Sequence, residues 1–466
     1  MLEYLQWINS LVWGLPTVGL ILLVGFRLTA GTRFGQIRLF PEALKKLAKD
    51  LRSTGDGNSV TPVQALCTAL AATAGTGNLV GVAGAIALGG PGSIFWMWIC
   101  GIIGMVIKFA EATLAVRFRQ IQNGEILAGP MYMIRDGMSR KFQSLAWIYA
   151  LLGLIASFGI GNATQINAAV SAADQAAAWF GCSLPVGGKL ILGFVLGGLV
   201  WGMLSGGAKR IGNAAELLVP AVSVSYIALC LWVLWRQREF LPGALVSIVT
   251  GAFSPRAVTG GVVGSVFQTL RVGVSRGIFT NEAGLGTASM AHGSANVSHP
   301  VEQGLLGILE VFLDTIVICT LTALVILSSG ISISYGADSG AVLTVQAFSA
   351  VCGDWISVFL ALSLALFAFA TILGWGLYGL RCAQFLFGSG CCRYLALAQA
   401  VTVVLGAVTK TEIIWSLSEV FNGLMAIPNL IALTALRGQF FALTSEFERK
   451  RGKTAAGGTY ENFYQC

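Results

Sequence analysis

The stretch Ala71-Ala72-Thr73-Ala74-Gly75-Thr76-Gly77-Asn78 interrupts an apolar segment, roughly residues 62–88, that is long enough to cross a bilayer. In hydrocarbon every backbone amide needs a partner within the protein, so unwound chain survives only where it lines a site. Gly75 and Gly77, flanked by Thr76 and Asn78, have the composition of such a break. Freed carbonyls there can hold a small cation, and freed N–H groups can hold a carboxylate. The same residues also suit plain close packing between helices.

The rest of the chain favours a membrane setting for this break. Of 466 residues, 55% are hydrophobic and 11% charged, where a soluble domain carries nearer a quarter charged residues. The chain reads as an all-α polytopic membrane protein. Met1–Ser10 carries no basic residue, so no signal peptide is expected. The net charge of +8 is spread over short loops, which argues against a nucleic-acid partner. The ten cysteines show no C-x-x-C spacing and the only histidines are His292 and His299, so neither a disulfide framework nor a metal cluster is expected.

Apolar segments occur near 9–29, 62–88, 93–116, 145–174, 188–206, 212–235, 262–290, 303–329, 356–386, 394–409 and 412–436, eleven crossings in all. With the N-terminus outside, the loops carrying Arg27–Arg52, Arg117–Lys141, Lys209, Arg210, Arg381 and Arg393, and the tail after Arg437, all fall inside. External connections hold only Lys189, Arg236, Arg238, Arg256 and Lys410, while Lys108, Arg271 and Arg276 lie in spans. That asymmetry satisfies the positive-inside rule and predicts a plasma-membrane protein with a cytoplasmic C-terminus. Residues 38–53 read either as a basic interfacial helix or as a loop, and the polar tail beyond Phe447 as structureless.

Setting aside the first span and its loop (1–60) leaves ten. The broken 62–88 segment opens one unit of five (61–236), and a second polar interruption opens the other (262–437), across an external connection at 237–261 and before a tail at 438–466. An odd number of helices per unit makes the pair inverted, and matched broken helices point to a transporter's central site. The second interruption reads Gly277-Ile278-Phe279-Thr280-Asn281-Glu282-Ala283-Gly284-Leu285-Gly286-Thr287. Glu282 either braces unwound chain or ends a helix. Arg271 and Arg276 have Glu216, Glu282, Glu310 and Asp314 as available partners, and Glu310 and Asp314, four apart, are expected on one helix face. Phe158, Asn162 and Gln165 are likewise expected to share a face. Gln165 then either binds a zwitterion or bonds a neighbouring helix. Thr371 offers a hard hydroxyl oxygen, and Trp375, four residues on, offers either a rigid wall or plain packing.

These residues bear a resemblance to the alanine or glycine:cation symporter family, the sodium/alanine symporters. It is carried by Thr73–Val82 (TAGTGNLVGV), Gly129–Ile134 (GPMYMI), Gly161–Asn167 (GNATQIN), Gly207–Asn213 (GAKRIGN), Val274–Ser289 (VSRGIFTNEAGLGTAS) and Thr371–Gly376 (TILGWG), and it extends to about residue 437. The resemblance implies eleven helices, with a five-plus-five inverted repeat of the amino-acid/sodium symporter type after one added N-terminal helix. It also implies import of alanine or glycine, D-forms included, by alternating access with sodium. By position it places the substrate at Gly75, Thr76, Gly77, Gln165, Thr280, Asn281 and Trp375. Sodium would take the Ala71 and Ala74 carbonyls, a carbonyl from Phe367 or Ala368, and the Thr371 hydroxyl. Ala370 leaves one hydroxyl where some other families of that fold have two. Sodium is then a co-transported ligand with no cofactor, the partners are the amino acid, the ion and membrane lipid, and no obligate protein partner is evident. Proton coupling through Glu282, Glu310 or Asp314 is the rival mechanism. A channel or a membrane enzyme is a different class, and no repeated selectivity filter, nucleophile elbow or cofactor loop supports either.

Overall fold

Local chemistry sets where the first broken segment starts. Thr61 accepts from the Gln64 amide while the Gln64 side chain accepts from the Thr61 amide, both at 3.1 Å, and Pro62 takes the first helical position. This reciprocal cap and the preset proline φ begin a helix at Pro62. The computed structural model describes residues 4, 7–9, 12–52, 59–122, 124–336, 340–409 and 412–455. Lys410 and the last part of the expected tail, 456–466, lie outside the described residues.

In chain order the principal helices are α1 (Leu15–Gly31), α2 (Phe40–Asp50), α3 (Pro62–Thr73), α4 (Val82–Gly89), α5 (Ser93–Arg117), α6 (Gln143–Phe158), α7 (Thr164–Trp179), α8 (Val186–Leu204) and α9 (Gly207–Arg236). They continue with α10 (Leu241–Phe253), α11 (Val266–Asn281), α12 (Ala288–His292), α13 (Pro300–Val311), α14 (Thr320–Ser328), α15 (Gly340–Cys352), α16 (Ile356–Phe387), α17 (Cys392–Gly406) and α18 (Glu412–Ala455). Among the described residues, eight helices are long and apolar enough to cross a membrane, or nine when α3 and the bent continuation Gly77–Gly89 count as one span. The chain is therefore a multi-pass, all-α membrane protein.

α16 is the hub, packing against α3, α6, α7 and α9, while α5 packs against α1, α11 and α13. Among the described residues, three turns open into the wider π form, at Gly77–Gly81, Gly159–Ala163 and Phe312–Cys319; such bulges commonly mark functional places in a helix. The basic 38–53 segment contains α2, whose Leu39 and Ala43 flank is buried and whose Lys46 pairs with Asp50 at 3.0 Å and Glu302 at 3.4 Å. A short antiparallel hairpin, β1 (Gln120–Gln122) and β2 (Glu125–Leu127), caps one end of the bundle. α18 runs on past Phe447 to Ala455, where the polar composition had suggested structureless chain.

Candidate functional site

The first interruption is real: α3 and its continuation meet at a bend of 50°. Ala74 leaves the helix in an extended conformation (ψ 95°). The Gly75 N–H, which a continued helix would direct to the Ala71 carbonyl, donates instead to Asn78 Oδ1 at 3.1 Å. The Ala71 carbonyl accepts the Thr371 hydroxyl at 2.9 Å, and that hydroxyl also lies 3.0 Å from the Phe367 carbonyl. Three oxygens from two helices thus converge: the Phe367 carbonyl lies within continuous α16 and also takes the Thr371 N–H, while the Ala71 carbonyl has lost the Gly75 N–H as its helical donor. Phe367, rather than Ala368, supplies the carbonyl that Thr371 reaches; Ala368 is buried on the same helix.

The glycines fix how closely other groups approach. A Cβ at Gly75 would stand 2.8 Å from Thr371 Oγ1 and 3.8 Å from Gln165 Oε1, and one at Gly77 would stand 3.3 Å from both Cα and Oγ1 of Thr280. Thr76 forms the inner lining of a cavity of about 220 Å³ that continues past Leu79, Ser171 and Gln175 to Thr344 and Ala361. Gln165 is 4% exposed, its amide N–H donates to the Ile160 carbonyl at 3.1 Å, and its Oε1 has no hydrogen-bond partner among the described residues. The structure therefore brings Ala71, Gly75, Gln165, Phe367 and Thr371 together, with Gly77 against Thr280 alongside.

The second interruption begins one residue after Asn281. Glu282 takes a left-handed conformation (φ 53°), followed by Gly284 at φ 93° and Gly286 at φ 79°. A non-glycine residue rarely holds that geometry without support. Here Glu282 accepts from Thr287 Oγ1 at 2.5 Å and from Trp375 Nε1 at 3.0 Å. Glu111 of α5 completes the bracing, its Oε1 accepting from the Gly284 amide (3.0 Å), the Gly286 amide (3.1 Å) and Asn429 Nδ2 (2.7 Å).

A polar bridge joins the two breaks. Asn78 Nδ2 donates to Asp314 Oδ1 at 2.8 Å, Thr315 Oγ1 donates to Asp314 Oδ2 at 3.0 Å, and Asn281 Nδ2 donates to Thr315 Oγ1 at 3.2 Å. Asp314 and Thr315 sit in the π segment, so Asp314 faces the site while Glu310, a helical turn earlier, pairs with Lys108 at 2.9 Å and His292 Nε2 at 2.8 Å. Glu310 and Asp314, four apart, thus have separate partners, Glu310 on the α5 and α12 side and Asp314 on the first break. Of the carboxylates expected near Arg271 and Arg276, Glu310 pairs with Lys108 and Glu216 accepts from Gln64 at 2.9 Å. Asn162, within the Gly159–Ala163 bulge, donates to the Gln399 carbonyl at 2.9 Å, while Gln165 donates to the Ile160 carbonyl.

Trp375 lies one turn beyond Thr371, 1% exposed, its ring against Gly161 and edge-on to Tyr378 at 5.7 Å. It is not among the residues lining the 220 Å³ cavity. Sequence reasoning passed over Glu111 and assigned Asp314 no bridging role. Lys108 and Glu111, three apart inside an otherwise apolar helix of 25 residues, were the available signal for the first of these.

A family model described as "Sodium:alanine symporter family" matches residues 1–461. The chain is 39% identical over 454 residues to the sodium/alanine symporter AgcS of Methanococcus maripaludis, covering 96% of this chain and 97% of that one. It is 40% identical over 444 residues to an uncharacterized transporter of Haemophilus influenzae, covering 94% of each. It is 37% identical over 447 residues to the probable sodium/glutamine symporter GlnT of Bacillus subtilis, covering 95% of this chain and 90% of that one. The crystal structure of MhsT in complex with L-phenylalanine shares the fold, with a TM-score of 0.57 at 14% identity, covering 83% of this chain and 95% of that one. The chain belongs to the sodium:alanine symporter family, and its work is secondary active, sodium-coupled transport of a small amino acid rather than a chemical conversion.

Proposed function

We propose that the amino acid is alanine or glycine, D-alanine included, carried inward with sodium across the plasma membrane. The observation that carries this reading is the meeting of Ala71, Phe367 and Thr371 oxygens beside Gly75 and the unpartnered Gln165 Oε1. Hard oxygens, one of them a carbonyl released from its helical N–H, suit an alkali cation. Sodium takes the Ala71 and Phe367 carbonyls and the Thr371 hydroxyl, with Ala74 and Ala368 supplying further carbonyls. The substrate carboxylate meets Thr76 and the amides near Gly75 and Gly77, and Gln165 Oε1 accepts from the ammonium group. Thr280 and Asn281 close the opposite side, and Trp375 limits the side chain. Sidewalls this close to Gly75 and Gly77 favour a very small side chain.

The topology is eleven crossings: the nine spans, α1, and α11 with its unwound continuation, arranged as one added helix and two inverted units of five. The N-terminus is outside and the C-terminus cytoplasmic, as the basic loops require. The repeat units span 61–236 and 262–437, linked across 237–261. Alternating access then moves the paired ligands, whose coupling is reciprocal.

Uptake by purified protein in liposomes tests this reading, with sodium and proton gradients imposed separately. Labelled alanine should accumulate under a sodium gradient at fixed pH and be displaced by glycine and D-alanine. Accumulation driven only by a proton gradient would replace sodium coupling, and displacement by neither competitor would replace the substrate assignment.

A further inference from the structure

A second polar cavity, of about 600 Å³, lies between the α8–α9 turn, the far end of α16 and the start of α17, on the face that the basic loops assign to the cytoplasm. Arg381 lines it and is nearly wholly buried. Its Nη1 donates to Glu125 Oε1 at 2.8 Å and to Gln384 Oε1 at 2.7 Å, and Gln384 Nε2 donates to Glu125 Oε2 at 3.1 Å. The Glu125 carboxylate is therefore split between two residues instead of taking the guanidinium in the usual two-point manner. Arg381 Nε is left buried with no hydrogen-bond partner among the described residues. A buried donor without an acceptor is costly, and this one belongs to a side chain whose rigid fork matches an oxyanion.

Other groups around the cavity fit the same ligand. Arg393 supplies a second guanidinium, and Ser205 and Ser389 supply hydroxyls. Glu125 is the one carboxylate against these two cations; its side chain is 42% exposed and sits on the β1–β2 hairpin rather than on a packed helix. We propose that this cavity is an anion site that takes a phosphate group, held by Arg381 and Arg393, with Glu125 as the internal competitor. Phosphate is favoured over a carboxylate because it offers more oxygens to two guanidinium groups and two hydroxyls. The group can belong to a soluble phosphate or to the headgroup of an anionic phospholipid, since basic pockets at the cytoplasmic ends of spanning helices suit both. Arg381 shares α16 with Thr371, so an anion that draws Arg381 away from Glu125 acts on the helix that reaches the Ala71 carbonyl. The site stands whichever amino acid the protein carries.

The test uses the full-length protein, first in detergent with inorganic phosphate titrated against chloride at matched ionic strength. It is then repeated in nanodiscs of phosphatidylcholine with and without phosphatidylglycerol, with the thermal midpoint as readout. Phosphate should raise the midpoint of the unaltered protein. Glu125→Gln should lower the phosphate needed for half the effect, and Arg393→Gln should raise it about tenfold, the loss of one charge-assisted contact. If the natural source is lipid, phosphatidylglycerol should raise the midpoint with the same order among the three proteins and remove the further response to phosphate. A response to phosphate in detergent that phosphatidylglycerol leaves unchanged assigns the site to a soluble anion. Equal shifts with chloride and no effect of phosphatidylglycerol, or identical responses from all three proteins, overturn the proposal. Arg393 is exposed and the Glu125 change is isosteric, so both variants should remain monodisperse and take up alanine.

Discussion

Replacing Thr371 with alanine removes a hydroxyl that links the first broken helix, at the end of α3, to α16. That hydroxyl lies 2.9 Å from the Ala71 carbonyl and 3.0 Å from the Phe367 carbonyl, yet has one hydrogen to give. In the empty site its loss costs roughly 0.5–1.5 kcal/mol, the net worth of a neutral hydrogen bond. With sodium bound, the oxygen faces a full charge, and interactions of that kind are worth about 1.5–3 kcal/mol. Sodium affinity changes by the difference between these two, about 1–1.5 kcal/mol, so the half-saturating sodium concentration should rise roughly 5- to 12-fold, since each ~1.4 kcal/mol is tenfold. Thr371→Ser keeps the hydroxyl and should stay near the unaltered value. The assay is alanine uptake into liposomes with sodium titrated against choline at constant ionic strength and saturating alanine. The alanine-to-glycine preference at saturating sodium should not move. A uniform fall in uptake at every sodium concentration, with half-saturation unchanged, would refute the role given to Thr371.

Gly75→Ala puts a methyl group 2.8 Å from Thr371 Oγ1, so sodium-driven uptake should fall at least ~tenfold, and the thermal midpoint should drop by the equivalent of the about 1–3 kcal/mol that overpacking a buried position costs. Asn78→Ala strands both the Gly75 amide and Asp314; the thermal midpoint should drop by the equivalent of about 1–3 kcal/mol for each unsatisfied group, and sodium should no longer tighten alanine binding measured at equilibrium. Trp375→Ala vacates the space against Gly161, so serine, threonine or larger amino acids should begin to compete for alanine uptake; unchanged competition in a folded variant removes Trp375 from the pocket.

Both interruptions were legible in the sequence because glycine beside Thr and Asn inside a membrane-length segment conflicts with a continuous helix. What fastens them was less legible. Asp314 was readable as a carboxylate in a span, but its partner Asn78 lies 236 positions away, and a π bulge leaves no mark in the composition that a hydrophobic pattern detects. The same limit applied to the bulge at Gly159–Ala163. Glu111 was readable in principle: a carboxylate in the apolar run of α5 cannot stay unpartnered. Its partners, the Gly284 and Gly286 amides, lie more than 170 positions away in the chain, and no local pattern encodes that pairing. The β1–β2 hairpin went unforeseen because three-residue strands carry too little alternation to stand out.

The two breaks are braced unequally, and the inequality bears on how sodium could control transport. The second is tied from several directions at once: Glu111 takes two of its amides, Asn429 reaches the Gly284 carbonyl at 2.9 Å, and Glu282 is held by Thr287 and Trp375. The first is tied by Asn78, which reaches Gly75 on one side and Asp314 on the other, and by the single proton of Thr371. An element with fewer ties opens at lower cost. A cation joining the Ala71, Phe367 and Thr371 oxygens would therefore add its binding energy where the fold supplies least, and would do so only in conformations that keep α3 against α16. A ligand shifts an equilibrium only by its differential affinity for the two states. Placing the ion at the weakly held break, rather than at the one Glu111 already secures, is the arrangement that turns sodium binding into a change of conformation.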